Sequence, residues 1–518
     1  MKNTKIYLLA VSMLMAGACT EDFESINTNP NSPTEVPPSY LLTHAERGLR
    51  EIFNTSGLLY AQMWSETQYT NTSRYDVEPL DFSEYYRGTQ LATETSNGGL
   101  YDLQEIIRLN TDEETREAVS AFGSNNNQIA VARILKAWTY HRLTDIWGDI
   151  PYSEALKGRE NFLPSYDAQS DIYADLITEL DEATAQIEEG AAGVEGDAIY
   201  SGDMAKWKLF AQSLKLRIGI RMSDVAPDAA QAAITSALSQ GVFTSNADNA
   251  YFQNLSDAAN DNQYYEHFLT RTDYAISNVM DEYMSAISDP RLNIYASPTG
   301  GSLEAFTADR SAELVVEGMP YGVNQATAGS ITNNSISFPS AVVRSATSPS
   351  LIMTYPEVLF IQAEAAARGW IGGDAATLYE QAITASMEFW NDQSMSTDYA
   401  AIYGVSGIES SFDVAITAEE IATYLQQPAV AFTQANALQQ IAEQKWVALY
   451  MQGLEAWSEW RRTGYPELQR APDAFDGREI PRRRGYGQIE FDLNQTNYEA
   501  AVARQGPNTM STRLWWDQ

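Results

Sequence analysis

The chain has 518 residues, of which 44% are hydrophobic and 20% charged, and its formal charge is −36. That composition belongs to a packed globular protein rather than a disordered acidic one, and so acidic a surface repels phosphate, which argues against nucleic acid or anionic lipid as a partner. Cys19 is the only cysteine, so no intrachain disulfide can form.

The chain opens on Met1, Lys2 and Lys5, runs through an apolar stretch over residues 6–15 and ends it with Ala16, Gly17, Ala18 and Cys19. This is the plan of a secretory signal over residues 1–18. A run so short cannot span a hydrocarbon core, which needs about 20 helical residues, and no later stretch is both long and charge-free enough to do so. Small residues directly before a lone cysteine form a lipobox, where the Cys19 thiol is acylated and anchors the chain in the membrane. Residues 19–39 carry Asn27, Asn29, Asn31, Pro30, Pro33, Pro37 and Pro38 and read as a lipidated, extended tether. Residues 40–518 read as one domain.

Helical spacing dominates from there. Val131, Ile134, Leu135 and Trp138 recur at three- to four-residue intervals, as do Trp446, Leu449, Tyr450, Gly453, Trp457 and Trp460. Further helices are expected over residues 171–188, 205–222, 358–369 and 378–390. Their short connections and Ala-rich faces suit stacked helix-turn-helix repeats, although no single period survives counting. A tryptophan stripe is core far more often than binding platform, so Trp446, Trp457 and Trp460 are assigned to the interior. Glu364, set among alanines, is expected to pair with an arginine inside the stack, since an unpaired buried carboxylate is costly. Residues 241–272 and 289–349 are rich in Asn, Ser, Thr, Gly and Pro and read as long irregular excursions of the kind that carry function. Arg482, Arg483 and Arg484 are expected to meet carboxylates of the helical stack rather than an external anion.

Several of these stretches, in this order and spacing, resemble the SusD/RagB family of outer-membrane nutrient-binding lipoproteins, in its starch-binding-associated branch. They are residues 23–31 and 36–42; Ala132 to Trp138 and its ending Thr144, Asp145, Ile146, Trp147, Gly148, Asp149, Ile150, Pro151 and Tyr152; Lys206 and Trp207 with residues 214–217; residues 355–365; residues 443–446 and 453–462; and residues 480–483 and 514–517. The resemblance runs from the lipobox to the last residues. It implies a mostly α fold of four tetratricopeptide-like repeats packed against a less regular, loop-rich part. It also implies a partner, a SusC-like TonB-dependent outer-membrane transporter, for which the lipoprotein acts as a lid that captures substrate. Glu21 and Asp22 resemble the surface-export signal of Bacteroidetes lipoproteins, which would turn the protein toward the cell exterior.

The resemblance supplies no ligand motif, so the site is sought from chemistry. Aromatic rings stack on the apolar faces of sugars, while amides, carboxylates and guanidinium groups bond the hydroxyls. Two loop clusters qualify. One holds Trp64, Tyr69, Arg74 and Tyr75, followed by Tyr86; the other holds Asn262, Tyr264, Tyr265 and His267, followed by Arg271. An oligosaccharide is the expected ligand, with a peptide as the alternative within the same family. The rival class is a surface-tethered glycan hydrolase with a hidden carboxylate pair. The three histidines, His44, His141 and His267, have no metal spacing, and no nucleophile, phosphate-loop or dinucleotide motif is present, so no enzyme and no cofactor are expected. A bound calcium stays open, without an EF-hand loop to hold it.

Overall fold

Apolar periodicity becomes helix at each stretch where the spacing predicts one. The structure is a computed structural model that describes residues 36–88, 98–309, 311–403 and 415–518; the expected leader, Cys19 and the expected tether up to residue 35 lie outside the described residues. The four expected helices appear as Gln169–Gln186, Met204–Arg221, Tyr355–Ala367 and Ala375–Met395. Local chemistry sets several starts: Asp203 accepts from the N–H groups of Ala205 and Lys206, Asp374 accepts from Thr377 N–H, and Pro356 occupies the first turn of its helix, where its missing donor costs nothing. Helices close in sequence pack on each other: Asn125–Trp147 on Gln169–Gln186, Met204–Arg221 on Pro227–Gln240, and Tyr355–Ala367 on Ala375–Met395. The architecture is mostly helical, with a helical-repeat body.

The tryptophan stripe over residues 446–460 is not one helix. It divides into Ala437–Ala448 and Gly453–Thr463, and Tyr450 sits in the break. Met451, at φ 66°, turns the chain in the break, and Gly453 starts the next helix. A Cβ there would stand 2.2 Å from the Asn54 carbonyl oxygen, and one on Gly57 would stand 2.2 Å from the Gly453 carbonyl carbon, so two backbones cross where only glycine fits. The three tryptophans are core as expected, with Trp446 1%, Trp457 0% and Trp460 6% exposed.

Helices buried on every side must place their polar residues against one another. Arg217 donates to Glu357 at 2.6 Å, Arg221 to Glu455, and Arg462 to both Glu364 oxygens at 2.7 Å and to Glu459 at 2.7 Å. Lys445 Nζ lies 3.0 Å from Glu459. Burial alone would raise Glu455, Glu459 and Glu364; the facing guanidinium groups outweigh it and hold all three below the usual carboxylate range. The expected partner of Glu364 is therefore Arg462, with Arg368 also bonded to it at 2.9 Å. The expectation for the arginine triplet is corrected. Only Arg482 meets a carboxylate, that of Asp517 at 3.0 Å, which is near the chain's end rather than in the stack. Arg483 lies over the Tyr486 ring and bonds the Arg484 carbonyl, while Arg484 bonds the Glu78 carbonyl.

Against this body lie the irregular excursions. Among the described residues the strands are short and form three two-stranded antiparallel ladders, including Trp64–Glu66 with Tyr274–Ile276 and Ala250–Phe252 with Ser350–Met353.

Candidate functional site

The two ring-bearing loops are far apart in sequence, yet one ladder joins them. Trp64 pairs with Ile276, Ser65 with Ala275 and Glu66 with Tyr274, so the segments that leave this ladder, residues 67–75 and 262–273, emerge together. Thr67 donates through its N–H to the Asp273 carbonyl at 2.8 Å and through its hydroxyl to the Thr272 carbonyl at 2.5 Å. The Gln68 amide donates to the Asp273 carboxylate.

At the surface end stands Tyr69, 64% exposed. Its backbone takes a left-handed φ of 55°, a conformation that costs a bulky residue on the order of 1 kcal/mol or more and persists only where its surroundings enforce it. Here the Tyr69 N–H donates to Gln325 Oε1 at 2.6 Å, and the Arg271 guanidinium lies 5.3 Å from the ring centroid. Arg271 in turn donates to Asp273 Oδ2 at 2.5 Å, a contact that raises its pKa. Asn333 Nδ2 donates to Thr272 Oγ1 at 3.0 Å, adding a further amide to the rim. An exposed ring with the exposed Arg271 guanidinium and the Gln325 and Asn333 amides around it, the buried Asp273 carboxylate bracing Arg271, offers both of the contacts a sugar makes, stacking and hydroxyl bonding.

The residues next to Asp273 are half-buried or buried. His267 Nε2 is 3.6 Å from Asp273 Oδ2, and its imidazole stacks on Tyr274 at 5.1 Å. Burial lowers its pKa against the opposing pull of Asp273, so the ring is neutral at neutral pH and acts as a wall. Below the loop, Glu66 Oε2 accepts from Ser73 N–H at 2.9 Å and from Ser73 Oγ–H at 2.8 Å. Desolvation pushes the Glu66 carboxyl up to about 7 despite those bonds.

The structure thus unites Tyr69, His267 and Arg271 and places Arg74 a few residues along the same loop, its Nε donating to the Asp473 carbonyl at 2.8 Å. The other assignments are corrected. Trp64 is 0% exposed; its Nε1 donates to Tyr450 Oη at 3.2 Å, and Tyr264 and Tyr274 pack on its indole. Tyr75 is buried and accepts from Ala471 N–H at 3.1 Å. Tyr264 is buried, its hydroxyl accepting from Asn54 Nδ2 at 3.1 Å. Asn262 is the cap of the Gln263–Thr270 helix, accepting from Tyr264 N–H at 2.8 Å and donating to the Ser348 carbonyl at 3.0 Å. Tyr86 belongs to another aromatic cluster, against Phe82 and Tyr140, and donates to the Pro151 carbonyl at 2.5 Å. Tyr265 is half-buried on the Gln263–Thr270 helix. Trp64, Tyr75, Tyr86 and Tyr264 are consumed by the fold, packed on other rings or bonded to neighbouring segments, whereas Tyr265 keeps part of its surface.

Sequence reasoning missed Asp273, Gln325, Asn333 and Asp473. Asp273 lies two residues past Arg271 and was reachable by extending the second cluster; Gln325 and Asn333 lie in the excursion over residues 289–349 that the composition did mark. A cavity of 630 Å³ elsewhere, between Asn125–Trp147 and Gln169–Gln186, is lined by Lys136, Tyr140, Tyr152, Asp167 and Asp175. Its two rings meet edge to face at 4.7 Å, and the Tyr152 hydroxyl is tied to Asp175 at 2.6 Å, so it presents no comparably open ring. Among the described residues no group of three or more His, Cys, Asp or Glu can hold a metal ion, and no helix is long and apolar enough to cross a membrane.

Residues 30–487 match the SusD-like_2 family, described as starch-binding associating with outer membrane. Among solved structures the chain is similar to a chitin-binding protein at 28% identity and a TM-score of 0.74, covering 93% of this chain and 99% of that one. It is similar to a SusD-like protein of Bacteroidetes AC2a at 26% identity and a TM-score of 0.74, covering 93% and 100%. A SusD homologue from Bacteroides fragilis gives 26% identity and a TM-score of 0.72, covering 93% and 100%. No curated protein matches the sequence.

Proposed function

The chain belongs to the SusD-like_2 family, whose members are starch-binding proteins associating with the outer membrane, and from that premise we propose that it captures an oligosaccharide at Tyr69 and passes it intact to a SusC-like TonB-dependent barrel. The observation that carries this reading is the exposed Tyr69 ring, held by Gln325 and backed by Arg271, beside the Asp273 carboxylate. Asp273 is buried and both its oxygens are already bonded, one to Gln68 and one to Arg271, which supports a role in holding Arg271 in place rather than in proton transfer. Residues 1–18 are the leader, residues 19–39 the tether lipidated at Cys19, and residues 40–518 the capture domain, set on the outer face of the outer membrane. The family description and the chitin-binding relative make maltooligosaccharides and chitooligosaccharides the first ligands to try.

Calorimetric titration of the full chain in a zwitterionic detergent against both series, with a peptide panel alongside, tests the reading. Saturable binding with the sugar recovered uncut supports capture. Cleavage of the sugar would identify a hydrolase, and binding confined to peptides would move the ligand class. Acyl incorporation that disappears in Cys19→Ala and co-purification of a barrel protein test the anchor and the partner.

A further inference from the structure

The loop that carries Tyr69 leads to a second ring of similar construction. The Arg74 carbonyl accepts the Phe475 N–H at 2.8 Å, and the Tyr75 carbonyl accepts from Arg478 Nη1 at 2.8 Å. Asp473 Oδ2 accepts from both Asn324 N–H at 2.8 Å and Asn324 Nδ2 at 2.7 Å. Asn324 caps the Gln325–Ala328 turn, whose first residue holds the Tyr69 N–H. Residues 67–76, 324–325 and 473–478 therefore form one hydrogen-bonded surface.

Phe475 is 40% exposed on it, and the Arg478 guanidinium lies 4.9 Å from its ring centroid. A single exposed phenylalanine is ordinary. The repetition is not: two open rings, each with a guanidinium over it, flank one short loop. Positive φ recurs on the same segments. Nine described non-glycine residues have positive φ, and Tyr69, Tyr75 and Asp476 are three of them, at 55°, 64° and 49°. Strain of this kind survives where surrounding bonds enforce it and gathers at ligand sites. The backbone from Tyr69 to Arg74, whose carbonyl holds the Phe475 N–H, spans at most about 18 Å even when fully extended, so both ring-bearing residues belong to one local surface.

We propose that Phe475 is a second sugar-stacking subsite, rimmed by Arg74, Arg478 and Asp473, so that the protein takes an oligosaccharide lying along residues 69–75 rather than a chain end held at Tyr69 alone. The inference rests on the glycan-capture reading above. It predicts a particular dependence of affinity on ligand length.

The test titrates the full chain in zwitterionic detergent with maltooligosaccharides and chitooligosaccharides of increasing length. The unmodified protein gains affinity with length. Phe475→Ala keeps the affinity for the shortest binding member and loses about tenfold on the longest, with unfolding temperature unchanged, whereas Tyr69→Ala weakens every member. Phe475→Trp restores the gain. A binding wild type with no length dependence, or a Phe475→Ala variant that keeps the full gain or loses equally at all lengths, overturns the subsite and leaves capture at Tyr69 standing. Silence of the unmodified protein on both series overturns the capture reading, and the subsite with it.

Discussion

The helical body and the loop face solve opposite problems with the same residue types. In the body, Trp446, Trp457 and Trp64 are sealed, and arginines such as Arg217, Arg221 and Arg462 are spent on buried glutamates. On the loop face, Arg271 and Arg478 lie over rings that remain open to solvent. Positive φ occurs in both regions, at Phe53 and Met451 where helices of the body begin or break and at Tyr69, Tyr75 and Asp476 on the loop face. An aromatic or an arginine is therefore informative about function only once its burial is known, and in this chain burial follows from whether the segment packs on the helical stack.

The sharpest way to break the comparison is within the body. Arg221→Met leaves Glu455 without its closest partner and takes one cation from beside Asp145 and Glu459, the latter keeping Arg462 and Lys445, and removal of one member of a buried network costs about 3–5 kcal/mol. A denaturant unfolding curve should show that loss, with ligand affinity of the folded fraction unchanged. Trp64→Ala separates the regions at their junction. It opens a cavity beside Tyr264 and Tyr274 and should cost about 3–5 kcal/mol of stability; affinity lost without that destabilisation would put Trp64 in the binding site instead.

Glu66 gives a smaller, pH-dependent effect. Its carboxyl is raised by burial to about 7, so the folded state keeps a proton that the unfolded chain gives up near 4.5. Its favourable contribution is thus complete below that lower value and is lost as pH rises to about 7, an upper bound on the order of 3 kcal/mol. Unfolding curves at several pH values should show wild type losing stability relative to Glu66→Gln across that interval and none beyond it. Tyr69→Ala is the mildest change to the fold, within about 0.5 kcal/mol of wild-type stability because the ring is exposed, yet it should cost about 1.4–2 kcal/mol of binding, roughly tenfold or more.

Much of the body was legible in the sequence. Apolar residues every three or four positions gave the helices, and the cost of a lone buried carboxylate predicted that Glu364 has an arginine, though not that it is Arg462, which arrives from a helix far along the chain. Periodicity carried the stripe straight through residues 449–452, because the positive φ at Met451 leaves no mark in the spacing and the Gly57–Gly453 crossing beside it is a long-range contact. Of the site, both loops were legible from composition, but which rings stay open was not. That depends on the pairing of two three-residue strands, too short to leave a pattern, which turns Trp64 inward and leaves Tyr69 outside. Phe475 lies just before Asp476 and Gly477, a turn signal, but nothing local ties it to Arg74.

The most direct test of the account is titration of the unmodified protein and Tyr69→Ala with chitooligosaccharides and maltooligosaccharides, with the sugar assayed for cleavage afterwards. The account predicts saturable binding of an uncut oligosaccharide by the unmodified protein and at least tenfold weaker binding by a fully folded Tyr69→Ala. Equal affinity in the two proteins, or release of shortened sugar, would contradict it.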